Sequence, residues 1–193
     1  MVQQQPPLRS FASRSEYFSV DSAGNAKHEF YEGTIVEIPG GTYAHSVITT
    51  DLYIVAARAI EEANLDVQLM NSDLRVRVSE DGPYFYPDMS AVFGQAEVDT
   101  DNCLVNPYIL AEVLSETSAA FDRDQKFRAY RRITSLRHYL LIAQNEVRIE
   151  HFERLPGGIW ALVGEHDDIN GSVGFADLGV AVPLAAIYRR VAF

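Results

Sequence analysis

Apolar positions along the chain repeat with two different periods. From Thr42 to Ala63 they recur mostly at spacings of three, four and seven residues, which predicts a long amphipathic helix with Thr42 as its N-cap. A second helix is predicted over residues 118–133, a short one around Ser13–Phe18, and another in the closing PLAAIYRRV segment. The segments between these helices have the texture of β-strands.

The strand patterns favour a mixed sheet. Apolar or alternating runs predict strands at 30–38, with a turn or bend at Gly33, and at 67–70, 74–78, 84–93, 108–115 and 138–143. The last two runs are almost wholly apolar, as in strands buried on both faces. A polar loop is predicted over 94–107, and a β-rich meander follows residue 143. The expected fold class is α/β, with a mixed central β-sheet flanked by helices and a β-rich C-terminal part.

Composition limits the possible classes of protein. The chain has 193 residues, of which 47% are hydrophobic and 22% charged, and this excludes a disordered chain, a collagen-like repeat and a coiled coil. We expect one domain over residues 13–193 after a disordered leader over residues 1–12. No apolar run is long enough to span a membrane, and Met1–Ser10 lacks the apolar core of a signal peptide. The single cysteine, Cys103, favours a reducing, cytoplasmic location.

Two carboxylates interrupt apolar strands. Glu112 would share a strand face with Leu110 and Leu114, where an unpaired charge costs several kcal/mol. Asp88 follows Pro87 in the predicted strand 84–93, and the proline predicts a bulge or an edge position there. Each acid could simply pair with an arginine or cap a loop. Together they favour a cation.

The second predicted helix carries the matching positive charge. Asp122, Lys126 and Tyr130 are spaced at i, i+4 and i+8, so they lie on one face of that helix, although Asp122 and Lys126 could be an ordinary helical ion pair. Hard divalent cations such as Mg²⁺ prefer oxygen ligands and often take only one or two carboxylates. Two carboxylates and one ammonium group therefore indicate metal-assisted chemistry at a phosphate, in which a metal-activated water attacks and the lysine stabilises developing charge.

The order of several sequence blocks resembles the Uma-two family, a family of restriction-endonuclease-like domains in the PD-(D/E)XK nuclease superfamily. The resemblance covers about Ser15 to Val191. It is carried by the blocks KHEFYEGTIVEI, GGTYAH, SDLRVRV, YFYPDMSAV, ILAEVLS and FDRDQKFRAYRRITSLRHYLLI. It implies a restriction-endonuclease-like core, in which a helix, three antiparallel strands, a helix and a further strand follow one another.

The resemblance also implies roles for individual residues. Asp88, Glu112 and the backbone carbonyl of Val113 would be metal ligands for Mg²⁺ or Mn²⁺. The superfamily usually places its lysine two residues after the glutamate, where this chain has Leu114, and in this family the lysine is displaced to Lys126. The remaining implied or accessory residues lie outside the strands that carry the two acids. They are Glu29 as a further catalytic acid, with Glu32 as its substitute, and His45, Asp122 and Tyr130 as accessory residues.

Charge bears on the expected partner. The net charge of −11 argues against wholesale coating of nucleic acid. Basic residues nevertheless concentrate in the second helix, where Arg123, Arg128, Arg131 and Arg132 could contact a phosphate backbone. These arginines could instead form a solvated face that balances nearby acids.

Two functions remain open on this basis. The first is a Mg²⁺-dependent endonuclease that hydrolyses DNA phosphodiester bonds. The second is a catalytically weak or inactive nuclease-fold interaction protein that forms a homodimer.

Overall fold

The computed structural model describes residues 8, 10–24 and 26–193. The first helix, α1 (Arg14–Asp21), begins with a capping box in which Ser13 accepts from the backbone of Glu16 and the Glu16 side chain accepts from the backbone of Ser13. Most of the predicted leader lies outside the described residues. Within it, Leu8 N donates to Ile35 O and Ala12 N donates to Gly33 O. The leader over 1–12 and the single domain over 13–193 stay predictions.

The described residues of the N-terminal half form, after α1, one long helix and seven strands. The helix α2 (Tyr43–Glu62) begins after Thr42, whose side chain accepts from the backbone of His45, so the predicted N-cap is confirmed. The strands are β1 (His28–Tyr31), β2 (Thr34–Glu37), β3 (Val67–Asn71), β4 (Arg75–Arg77), β5 (Tyr84–Phe85), β6 (Met89–Phe93) and β7 (Cys103–Leu104).

The C-terminal half begins with the buried strand β8 (Ile109–Leu114). A helical segment then runs through α3 (Ala119–Phe121), a π-helical turn (Asp122–Lys126) and α4 (Phe127–Tyr130). The remaining elements are β9 (His138–Ala143), β10 (Ile149–Arg154), a 3₁₀ turn (Pro156–Gly158), β11 (Trp160–His166), β12 (Ser172–Phe175), β13 (Val180–Pro183) and α5 (Leu184–Ile187).

The strands form a mixed central sheet and two smaller sheets. The central sheet has the order β11-β10-β9-β8-β6-β3, and only its β8–β9 pair is parallel. A second sheet has the order β2-β1-β5-β4-β7, and β12 pairs with β13. The succession of α2, the antiparallel strands β3, β6 and β8, the α3–α4 segment and β9 matches the expected core.

Side chains of the central sheet alternate between two apolar layers. Ala111 and Val113 of β8 face the layer that includes Ile48 and Leu52 of α2. On the opposite face, Leu110 and Leu114 pack in a layer with Phe127 and Tyr130 of α4. Because side chains alternate along a strand, Glu112 points into this second layer. No helix in the described ranges combines the length and apolarity needed to cross a membrane.

Two predictions, the strand over 84–93 and the loop over 94–107, are wrong. The predicted strand 84–93 is two strands in different sheets, because the chain leaves the β1-containing sheet after Phe85 and enters the central sheet at Met89. Pro87, which has no amide hydrogen to donate to a ladder, lies at this crossing. The predicted loop 94–107 contains the short strand β7, which pairs with β4.

A partly buried polar network links the β12–β13 hairpin to the central sheet. His138 Nδ1 lies 3.0 Å from His151 Nε2, and His138 Nε2 lies 3.0 Å from Asp177 Oδ2. Tyr108 also donates to Asp177 Oδ2. Phe175 packs edge-on against His138. Burial, and next the proximity of His138 and His166, lower the pKa of His151 to about 4.

This network gives a first prediction, that His151 makes the protein less stable in acid. The unfolded chain takes up a proton at this histidine near pH 6.5, whereas the folded protein takes it up only near pH 4, so the free energy of unfolding falls as the pH decreases through that window. In His151→Gln the slope of this free energy against pH should be shallower by up to about 1.4 kcal/mol per pH unit. Urea denaturation at several pH values measures the slope. Equal slopes in wild type and His151→Gln would contradict the prediction.

Candidate metal and catalytic centre

The centre of the candidate site is the carboxylate of Glu112. It lies on β8 in the layer shared with α4, and its residue is only 4% exposed. Oε1 of Glu112 accepts hydrogen bonds from Tyr130 OH (3.0 Å) and Lys126 Nζ (3.2 Å). The described part of the chain provides no hydrogen bond to the other oxygen, Oε2. One oxygen is therefore held by the protein and the other is available to a ligand.

Lys126 reaches the site from the π-helical turn. Its ammonium group is buried and lies within 3.2 Å of three carboxylates. They are Glu29 Oε1 at 2.8 Å, Glu112 Oε1 at 3.2 Å and Asp122 Oδ1 at 3.2 Å. The sequence predicted an uninterrupted helix over 118–133, and the π-helical turn is a departure from it. Such turns are rare and often occur at functional sites.

Glu29 arrives from the second sheet. Strand β1 pairs with β5 through Phe30 and Tyr84, and this pairing places Glu29 Oε1 3.2 Å from the backbone nitrogen of Tyr86, which donates to it. Glu32, the alternative to Glu29 in the sequence, lies in the exposed turn between β1 and β2. The structure thus brings Glu29, and not Glu32, to the cluster.

Asp88 is held at the crossing between the two sheets. Its Oδ2 accepts from the backbone nitrogen of Val113 (2.7 Å), which ties the aspartate to the strand residue that follows Glu112. His45, on the first turn of α2, places Nε2 3.2 Å from the same oxygen. The described residues offer no hydrogen-bond donor to Asp88 Oδ1. Asp88 therefore repeats the arrangement of Glu112, with one oxygen fixed and one available.

The cluster has more negative than positive charge. Burial raises the pKa of Glu112 well above its usual range, and the carboxylates of Asp122 and Asp88 add to this effect. Burial alone would lower the pKa of Lys126, but Glu112 and the other carboxylates outweigh it and the net direction is upward. For His45, burial alone would lower the pKa, but the hydrogen bond to Asp88 and the charges of Asp88 and Asp122 together outweigh it and raise the pKa. The site therefore holds its two cationic groups firmly and still favours further positive charge.

The available donors fit a hard divalent cation. The four acids of the site supply only oxygen ligands, and they are Glu29, Asp88, Glu112 and Asp122. Asp122 Oδ1 is buried without a hydrogen bond of good geometry, although it lies near Lys126. Among the described residues, no three His, Cys, Asp or Glu side chains form a ready-made metal cage. Mg²⁺ is commonly held by one or two carboxylates, with water and phosphate oxygens completing its shell, so Asp88 and Glu112 suffice.

The arginines expected to contact a phosphate backbone fall into two groups. Arg123 Nη2 lies 2.5 Å from Glu150 Oε1, and Arg128 Nη2 lies 2.8 Å from Asp124 Oδ1. A carboxylate therefore already neutralises each of these two arginines. Arg131 and Arg132 are exposed and have no carboxylate partner in the described part of the chain. The helix therefore does not present one uniformly basic face.

Three contacts of the site have no signal in the sequence. Tyr139 OH donates to the backbone oxygen of Asp122 (3.1 Å) and so supports the π-helical turn. The Phe85 ring lies 5.7 Å from Lys126 Nζ, and the backbone nitrogen of Tyr86 bonds Glu29. All three join elements that are distant in the sequence, which local spacing does not reveal.

Comparison with known proteins shows the family to which the chain belongs. The model of the Uma2 family, described as "Putative restriction endonuclease", matches residues 14–183. The chain belongs to the Uma2 family. The resemblance seen in the sequence is thereby confirmed, and Asp88, Glu112 and Lys126 lie within the matched region.

Relatives of the chain occur in Synechocystis. The chain is 34% identical over 164 residues to the uncharacterized protein sll1609, and the match covers 82% of this chain and 91% of the relative. It is 28% identical over 181 residues to the uncharacterized protein slr1290, and this match covers 94% of this chain and 93% of the relative.

A solved structure shares the fold. It is the crystal structure of "a putative nuclease belonging to DUF820" from Anabaena variabilis, with a TM-score of 0.72 and 14% identity over 92% of this chain and 97% of that chain. The expected fold class, a mixed α/β core flanked by helices, is confirmed.

Proposed function

We propose that this Uma2-family protein is a nuclease that hydrolyses phosphodiester bonds in DNA with the help of Mg²⁺ or Mn²⁺. The observation that carries the proposal is the convergence of Glu112, Asp88 and Lys126. They come from a buried strand, a crossing between sheets and a π-helical turn, yet they are linked by the hydrogen bonds around Glu112 and Val113. Keeping several buried carboxylates together is costly unless a cation binds there.

The residues of the site have three proposed roles, which are to bind the metal ion, to orient its ligands and to stabilise charge. Asp88, Glu112 and the Val113 carbonyl would hold the metal ion, which when bound would activate water and offset charge on the phosphate. Tyr130 OH fixes Glu112 Oε1, and His45 Nε2 fixes Asp88 Oδ2, so each carboxylate turns its other oxygen to the ligand. Lys126 Nζ would orient the attacking water or stabilise negative charge on the phosphate.

Plasmid cleavage tests the proposal. Wild-type protein should nick or linearise supercoiled plasmid with Mg²⁺ or Mn²⁺ and should do neither in EDTA. Asp88→Asn should lower the rate at least about a hundredfold, because loss of a ligand should exceed the cost of losing one of its supporting contacts. The matched control is Asp124→Asn, which removes the charge of an exposed carboxylate on the π-helical turn that carries Lys126 and should leave the rate unchanged.

The alternative function gives a different result. If wild type, Asp88→Asn and Asp124→Asn all leave the plasmid intact with either metal, the proposed cleavage is wrong. The chain would then be better described as an inactive nuclease-fold interaction protein. Sedimentation of the same samples would show whether it forms the homodimer considered from the sequence.

A further inference from the structure

Apart from Arg58, the described arginines that lack a carboxylate partner lie together on one surface. They follow the helix that carries Lys126 or lie on the strand beside its end. These residues are Arg131, Arg132, Arg137 and Arg154, called the arginine patch below. The other described arginines pair with acids, as Arg77 does with Asp99. In a chain with a net charge of −11, this local excess of positive charge is unusual.

Arg154 joins the members of the patch. Its Nη2 donates to the backbone oxygens of Arg131 and Ile133, both at 2.6 Å, just beyond the end of α4. Its own backbone nitrogen donates to Arg137 O at 2.8 Å. The half-buried guanidinium packs over the Trp160 ring, 5.1 Å from its centroid. Arg154 thus acts as a positioning residue that fixes the turn on which the exposed arginines lie.

The exposed members are oriented without being neutralised. The Arg131 guanidinium lies over the Phe127 ring, 5.1 Å from its centroid. Arg132 Nη2 donates to the hydroxyl of Ser79 at 3.3 Å. Burial, and next the charge of the exposed Arg137 nearby, lower the pKa of Arg154. Like charges gathered in this way repel one another, so an anionic partner would relieve the repulsion.

The patch lies close to the candidate site along the chain. Arg131 directly follows Tyr130, whose hydroxyl bonds Glu112, and it is five residues beyond Lys126, or about 7 Å along a helix axis. We propose that the arginine patch binds the phosphate backbone of DNA next to the scissile position. The proposal rests on the proposed function. Compared with the arginines expected from the sequence to contact phosphate, the patch leaves out Arg123 and Arg128, which are already paired, and adds Arg137 and Arg154.

Salt-dependent binding tests the patch without requiring cleavage. Fluorescence anisotropy with a labelled duplex of about 30 base pairs, in EDTA, gives the affinity at several salt concentrations. The triple variant Arg131→Gln, Arg132→Gln, Arg137→Gln should bind at least about tenfold more weakly, and its slope of log affinity against log salt should be shallower by about 2 to 3. Arg58→Gln removes an exposed, isolated arginine and should match wild type. Unchanged thermal unfolding of the triple variant shows that it is folded.

The outcomes separate this proposal from the proposed function. Wild-type binding that weakens in the triple variant supports the patch, whether or not plasmid is cut. Equal affinities and equal salt slopes would overturn it, even if the protein cleaves plasmid. Absence of wild-type binding to the duplex would also overturn it. A triple variant that loses self-association but keeps its DNA affinity would show that the patch meets an acidic surface of a second copy instead.

Discussion

Replacing Lys126 by methionine is expected to lower the free energy of unfolding of the metal-free protein by about 3–5 kcal/mol at pH 8. The ammonium group is the shared partner of Glu29, Glu112 and Asp122, all within 3.2 Å of Nζ. Methionine keeps most of the buried stem but leaves the three acids facing one another. Breaking a buried ion pair by removing one partner is costly because the remaining charge stays desolvated.

The other lysine of the chain is the natural control. Lys27 pairs with Asp73 at an exposed site, so Lys27→Met should cost at most about 1 kcal/mol. Urea denaturation of both variants in EDTA measures the two losses. Because the pKa of Glu112 is already raised, protonation should relieve the cluster in acid, and the loss in Lys126→Met should shrink at pH 5. Equal losses in the two variants would show that Lys126 does not hold the cluster together.

Local spacing was enough to find the helix and strand that carry the central pair. An acid between Leu110 and Leu114 on an apolar strand must share their buried face, and Glu112 does so. The i, i+4 and i+8 spacing placed Asp122, Lys126 and Tyr130 on one face of a helix. The structure keeps them on one side but does so with a π-helical turn, whose presence depends on tertiary contacts such as that of Tyr139 with Asp122.

The parts that escaped prediction depend on pairing between distant strands. The family resemblance favoured Glu29 and kept Glu32 as its substitute, whereas the β1–β2 turn and the β1–β5 pairing distinguish them in the structure. The predicted strand 84–93 hid the crossing at Asp88, because apolar residues continue on both sides of Pro87 and Asp88 where the chain changes sheets. The sequence left open whether Arg123 contacts phosphate or balances an acid, and only the structure shows that Glu150 of β10 lies beside it.

The position of Glu150 also provides a matched control for Glu112. In the central sheet, Glu112 and Glu150 pair with Leu141 from opposite sides, so both glutamates point to the same face. Glu150 is 7% exposed and accepts from Arg123 at 2.5 Å, whereas Glu112 shares one lysine with two other acids. Two buried glutamates in one row therefore have opposite electrostatic balances.

Glu112→Gln is accordingly expected to stabilise the metal-free protein, by about 1–2 kcal/mol at pH 8. The amide oxygen still accepts from Tyr130 OH, while one negative charge leaves a cluster that has too many. The raised pKa of Glu112 means that the folded wild type binds its proton more tightly than the unfolded chain. Wild-type stability therefore increases as the pH falls through this window, and the advantage of the variant should decrease.

Mg²⁺ should reverse the order of the two proteins. Wild type should gain stability with metal, about 2.7 kcal/mol at a hundredfold excess over the dissociation constant, whereas Glu112→Gln should gain almost none because it has lost a ligand. Glu150→Gln should be destabilised by loss of its bond to Arg123 and should respond to Mg²⁺ as wild type does. Urea denaturation of the three proteins, with and without Mg²⁺, measures these differences. A destabilised Glu112→Gln that still gains stability from Mg²⁺ would mean that this glutamate is a structural residue, as Glu150 is, and that the cation binds elsewhere.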